Sequence, residues 1–393
     1  MNTHHPIFAL LTNTSSTGLK LQSLSAEVYR CPTLQTFTVQ GADATTFLQG
    51  QLTQDIAQQT PAQAQFAGYC TAQGRVLATM VLIRDDQSQP QFRCFTHASV
   101  AQALIKRLRM FVMRSKVVIT EAADMTELQM SDPLTAAPLC VVGVSTSDVT
   151  ALEGALKHIL PQQPWHQQKH ATGTWVCAPS AAGQPLRWWW LANQHHQNAI
   201  GAIEGLASHI VMALSECANT VAHQTTPDAD EAVNANQEAL NTQDADITTW
   251  QQFDIQAGLP WVEQATQDLF IAQTLNLDLI GAVSFTKGCY PGQEVVARAH
   301  YRGTLKRRMY LGHIDQSINL GLASDVLSAM NPNEPCGRII SCVAGRNRTD
   351  MLFESIIAAA TDYALYLPAL NAGQDHVKVV IDALPYSTYQ LTA

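Results

Sequence analysis

Lys287-Gly288-Cys289-Tyr290-Pro291-Gly292-Gln293-Glu294, continuing through Val295, Val296, Ala297 and Arg298, is the stretch from which the rest of the chain is read. Pro291-Gly292 marks a turn, and a proline is tolerated where a helix begins because the missing N–H has no intrahelical partner there. A helix starting near Gly292 puts Cys289 just before its positive end. Lys287 and that helix end both favour a thiolate, lowering a pKa that is about 8.5 in a free cysteine. Glu294 acts in the opposite sense unless Arg298, four residues on and on the same helical face, engages it. The alternative for Cys289 is a small residue that packs as an apolar one.

The octapeptide resembles the signature of the YgfZ family, bacterial folate-binding proteins related to the aminomethyltransferase of glycine cleavage and to a mitochondrial iron–sulfur maturation factor. The resemblance extends through Ala257-Gly258-Leu259-Pro260, Phe270-Ile271, Gln273, Asn276-Leu277, Ser284-Phe285, and Tyr301-Arg302-Gly303 with Lys306-Arg307. It also includes Gly41-Ala42-Asp43 and Gln49-Gly50-Gln51 near the start, and Leu384-Pro385-Tyr386-Ser387 near the end.

What the resemblance implies is an α+β fold, a ring of α/β subdomains around a tetrahydrofolate pocket, followed by a C-terminal β-barrel. It divides the chain into a folate-binding region over 1–308 and a barrel over 309–393. It assigns Cys289, Lys287 and Glu294 to chemistry, and Trp250, Tyr290, Gly292, Gln293 and Arg298 to the folate. Trp250 falls where the family has a tryptophan associated with folate. A second such tryptophan is replaced here by Leu34, and Ala272 stands where a proline is usual. The implied role is an accessory factor for iron–sulfur enzymes or their assembly factors, touching tRNA only indirectly, through enzymes that methylthiolate it. The alternative is a folate-dependent one-carbon (aminomethyl) transferase that works through a carboxylate.

Composition sets further bounds. At 393 residues and 46% apolar the chain can bury two or three cores. Its net charge of −9 argues against a broad phosphate-binding surface. Nine cysteines form no C-x-x-C pair, so neither a disulfide framework nor a zinc ribbon is expected, and no metal site. Reduced thiols and the lack of any apolar run of about 20 residues suggest a cytoplasmic protein with no membrane partner. The short Ile7–Leu11 run lacks a preceding basic residue, unlike a secretory signal.

In chain order, residues 1–30 are polar and read as a loose terminus. A strand through Phe37-Thr38-Val39 leads to Asp43, expected to cap a helix over Ala44–Leu48 that Gly50 ends. Tyr69–Thr71 and Val76–Ile83 flank a turn at Ala72–Arg75, as in a β-hairpin. Val100, Leu104, Leu108 and Phe111 recur at helical spacing, with Lys106, Arg107 and Arg109 on a solvated face, and Lys116–Thr120 returns as a strand. Another strand is expected near Leu139–Val144 and a helix over Ala151–Ile159. Trp188-Trp189-Trp190 reads as core, its rings alternating between two sheet faces.

Between Arg187 and Lys287 there is no Lys or Arg at all. The acid-rich part of that interval, about 220–248, reads as a mobile insertion. Lys287, Arg298, Arg302, Lys306, Arg307 and Arg308 then follow, forming either a cationic cleft for an anionic ligand or a ribbon paired with acids elsewhere. Beyond it, Met309–Ile314, Gly337–Val343, Met351–Ala359, Tyr363–Leu367 and Val377–Ile381 read as strands of a small barrel or sandwich.

Overall fold

The computed structural model describes residues 11–14, 18–21, 26–86, 89–121, 141–147, 160–170, 172–192, 247–301, 305–369 and 376–386. The acid-rich stretch up to residue 246, the helix expected over 151–159, and Arg302 and Gly303 lie outside these residues. The chain forms two compact units, one from residues 1–32 and 121–247, the other from 33–120 and 248–393.

In the first unit the polar terminus is not wholly irregular. Strands β1 (Leu11–Thr14) and β2 (Gly18–Leu21) pair as an antiparallel hairpin, and β3 (Ala26–Arg30) joins a sheet. That sheet has the order β10-β11-β12-β9-β3, with β9 at Val141–Thr146, β10 at Gln167–His170, β11 at Gly173–Ala178 and β12 at Leu186–Ala192. Trp188, Trp189 and Trp190 lie on β12 and are all fully buried, so both faces of the sheet are covered. Trp190 stacks on Trp175 at 5.3 Å, and Trp189 packs on Trp165. The trio is core, as its alternation suggests.

The second unit begins with the sheet β5-β6-β7-β4-β8. Its strands are β4 (Leu34–Gln40), β5 (Gln65–Cys70), β6 (Val76–Asp86), β7 (Pro90–His97) and β8 (Val118–Glu121). Helix α1 (Ala44–Gln49) and helix α2 (Ala98–Val112) bury Phe47, Leu48, Val100, Leu104, Ile105 and Leu108 against it. Asp43 precedes α1 as expected but does not cap it. Its carboxylate accepts instead from the main-chain N–H of Lys116 at 2.7 Å, tying α1 to the entry of β8.

Helix α3 (Ile247–Gln256) then leads into a long connection, residues 257–292, laid over this sheet. Thr79, buried in β6, donates to Pro260 O at 2.8 Å and accepts from Val262 N at 3.0 Å. Phe270 O accepts from Val76 N, and Thr53 holds the far end through Ala282 O at 2.7 Å and Ser284 N at 2.9 Å. A segment with so little regular structure can be buried only because its main-chain groups find such partners. Helix α4 (Gln293–Tyr301) follows, starting where Pro291-Gly292 suggests.

The chain ends in a closed barrel, order β13-β16-β15-β14-β17-β18. Its strands are β13 (Arg307–Ile314), β14 (Asp325–Ser328), β15 (Asn331–Ala344), β16 (Thr349–Ile356), β17 (Leu365–Leu367) and β18 (Val377–Asp382). The run Met351–Ala359 is not all strand. From Ile357 it turns into α5 (Ile357–Asp362), where three consecutive alanines favour helix over sheet. β14 was not visible as an apolar run.

Several motif residues join the barrel to the long connection. Arg308 grips Asp278 through both terminal nitrogens at 2.6 and 2.8 Å and also donates to Gln273 O, while Asn276 donates to Met309 O. Tyr386 donates to Gly258 O at 3.1 Å, anchoring the last described turn. Tyr386→Phe removes that bond together with the hydroxyl's contact with Asn276, and is expected to lower stability by about 1 kcal/mol in a denaturant titration.

Candidate functional site

Cys289 is exposed, and the other described cysteines are buried or half-buried. Burial pushes the Cys70 and Cys177 thiols up to about 12 and Cys342 up to about 11, which keeps them inert near neutrality. Cys289 is therefore the described thiol open to solvent, and its loop is fixed on both sides.

On the N-terminal side, Lys287 is 7% exposed, with its ammonium turned inward. Nζ donates to the carbonyls of Gln49 and Leu52 at 2.6 Å and of Gln54 at 2.8 Å, and lies 5.1 Å from the centre of the Tyr290 ring. These carbonyls belong to the end of α1 and the turn after it, where main-chain oxygens lack helical partners and carry the negative end of the dipole. Burial pushes the Lys287 pKa down to about 8, and Asp55 opposes the shift. The three carbonyls act with Asp55, since only the protonated amine can donate to all of them.

This corrects the expectation that Lys287 stabilises a thiolate at Cys289: all three of its hydrogens are held by main-chain oxygens. Lys287 acts as an anchor.

On the C-terminal side, Gly292 has φ +83° and meets the hairpin turn between β5 and β6. A Cβ on Gly292 would lie 2.5 Å from Gly74 Cα and 2.5 Å from Thr71 O. A Cβ on Gly74, itself at φ +76°, would lie 2.8 Å from Val295 Cβ. Two glycines face each other, and the start of α4 is seated in the turn. Gln293 Nε2 donates back to Lys287 O at 3.4 Å. Gly288, between the two anchors, has no neighbour within 4 Å of its Cβ position, so Cys289 stands at the crest of a held arch.

The remaining expected site residues are differently placed. Glu294 and Arg298 are both exposed and form no ion pair with each other. Trp250, on α3, is fully buried, and Tyr290 is nearly so at 6% exposed, its hydroxyl pushed well above its ordinary pKa by burial and then by Cys70. The cationic ribbon is neutralised only in part. Arg307 pairs with Glu354 at 2.9 Å, Arg308 with Asp278, and Lys287 with carbonyls, leaving Arg298 and Lys306 exposed among the described residues. Of the two readings of that ribbon, pairing with acids holds for Arg307 and Arg308.

Sequence reasoning missed the seat formed by Thr71 and Gly74 and the three carbonyls at 49, 52 and 54. The glycines at 74 and 292 were visible as turn formers, but nothing in the sequence pairs them; main-chain oxygens have no residue signature. Among the described residues no group of three or more His, Cys, Asp or Glu is placed to hold a metal ion. Nor is any helix there long and apolar enough to cross a membrane.

No protein-family model matches the chain. The structure does align with the solved glycine cleavage system aminomethyltransferase T from Bartonella henselae, over 96% of this chain and 94% of that one, at a TM-score of 0.59 and 11% identity. The chain has the aminomethyltransferase T fold. The α+β class and the C-terminal six-stranded barrel are thus as the motif's resemblance implies. Within this aminomethyltransferase-like frame, the Cys289 arch is built from the β5–β6 hairpin, the end of α1 and the start of α4.

Proposed function

We propose that the protein is a folate-binding accessory factor for the assembly or repair of iron–sulfur enzymes, including those that methylthiolate tRNA, with Cys289 as its working thiol. The observation that carries this reading is the exposed Cys289 on an arch pinned by Lys287 and by the Gly74–Gly292 contact. A thiol so presented can meet a large partner or its cluster without moving the fold, and a preorganised loop lowers the entropy lost on contact. Cys289 is the group that meets the client: its thiolate ligates a cluster iron, the thiol proton passing to solvent, or it attacks the outer sulfur of a client persulfide, whose own thiolate leaves as the new S–S bond forms. Lys287 positions Cys289, and Glu294 and Arg298 lie exposed on α4, the helix that follows the arch.

Support for folate comes from the aminomethyltransferase T fold together with the motif's resemblance. The residues assigned to it fit in part. The exposed Arg298 guanidinium suits the carboxylates of a folate tail. Trp250 and Tyr290 are committed to packing and offer no open ring face, so no pterin slot is assigned to them.

Titrating tetrahydrofolate against intrinsic fluorescence tests the ligand, with Trp250→Phe showing whether that ring senses it. Saturable quenching is expected, weakened about tenfold by Arg298→Ala through loss of one charge-assisted contact. A failure to saturate removes folate from the proposal. Transfer of a formaldehyde equivalent by the purified protein would favour a one-carbon transferase instead.

A further inference from the structure

Four of the large hydrophobic side chains exposed to solvent crowd into residues 110–118: Met110 at 62%, Phe111 at 44%, Met113 at 86% and Val118 at 57%. They occupy the last turn of α2, the bend after it and the first residue of β8. Residues 98–120 also contain Lys106, Arg107, Arg109, Arg114 and Lys116 and no Asp or Glu, on a chain whose net charge is −9. Lys106, Arg114 and Lys116 are exposed and form no ion pair among the described residues. Met113, the most exposed of the four, has φ +43°, an unfavourable conformation for a side chain of this kind.

Cations at the end of a helix complement its dipole, and that explains Arg109, which donates to Ile119 O at 2.9 Å. It does not explain apolar side chains in water. We infer that this face docks a partner protein through an amphipathic acidic segment, with carboxylates meeting Lys106, Arg114 and Lys116 and apolar side chains covering Phe111, Met110 and Met113. Methionine, phenylalanine and arginine are the residue types enriched at such interfaces, and flexible thioethers adapt to a partner's shape.

Opposite charge supplies the choice of occupant. A nucleic acid fits less well, because only one of the four apolar side chains has a ring on which a base can stack. A bilayer also fits less well: the apolar face of α2, with Leu104, Ile105 and Leu108, is already packed into the core, leaving only the helix end. The inference does not depend on the chemistry of Cys289.

The test uses the full chain and a synthetic helix-forming peptide with Leu and Phe on one face and Glu on the other, followed by fluorescence anisotropy. The same peptide with Lys replacing Glu, a single-stranded RNA oligonucleotide and anionic vesicles are the comparison probes. The Glu peptide is expected to bind, and the Lys peptide not to. Binding should weaken about tenfold or more in both Phe111→Ser/Met113→Ser and Lys106→Glu/Arg114→Glu, with unchanged melting temperatures because these side chains are exposed. No binding of the Glu peptide, binding indifferent to either double variant, or a preference for RNA or vesicles that those variants abolish would each overturn the inference.

Discussion

Lys287→Met is expected to lower the stability of the second unit by about 3 kcal/mol, because it removes the donor that three main-chain carbonyls share, at roughly 1 kcal/mol each. Methionine has nearly the length of lysine and keeps the hydrocarbon contacts, so the loss reports the hydrogen bonds. Lys287→Arg should not rescue it, since a planar guanidinium cannot aim at the three oxygens that Nζ reaches at 2.6 to 2.8 Å.

The effect carries a pH signature. The Lys287 pKa is about 8 in the fold and about 10.4 in an unfolded chain, so between these values the unfolded state holds the proton more tightly. Stability therefore gains a contribution as pH rises through that window and loses it again as pH falls through about 8. Comparing denaturant titrations of wild type and Lys287→Met across the window checks this: the wild-type rise should be absent from the variant. A parallel rise in both would show that the ammonium is not held as described.

Gly292→Ala is expected to be comparably damaging, about 3 kcal/mol, by a different route. The new Cβ meets main-chain atoms of Gly74 and Thr71 at 2.5 Å, and an L side chain at φ +83° adds backbone strain. Neither neighbour is the tip of a flexible side chain, so relief requires moving the hairpin or the start of α4. Gly74→Ala should cost less, since its nearest contact, Val295 Cβ at 2.8 Å, is longer than the 2.5 Å main-chain contacts at Gly292. Thermal melts of the two variants test the ranking, and protease sensitivity near residue 288 tests whether the arch has come loose. Equal, near-wild-type melting would mean that the glycines do not touch.

Much of the fold was legible because it rests on local signals. The period-two runs after residue 308 formed the barrel, the helical spacing from Val100 to Phe111 formed α2, and Pro291-Gly292 marked the start of α4. The reading failed where a stretch was short of apolar residues or where helix propensity overrode an apolar run, as at β1, β14 and α5. At the site, the exposed cysteine could be anticipated from its neighbours, but the task of Lys287 could not. A lysine two residues from a cysteine is as consistent with a thiolate partner as with a buried anchor, and the deciding oxygens lie more than 200 residues away in sequence, as do Gly74 and Thr71 from Gly292. The cationic ribbon misled for the same reason, because Asp278 and Glu354 are not its sequence neighbours.

The central claim is that the thiol of Cys289 works while its anchors only hold it. Cys289→Ser should leave the melting temperature unchanged, the residue being exposed, and should abolish the protein's ability to restore methylthiolated tRNA in cells lacking it. Full restoration by the folded serine variant would contradict the claim.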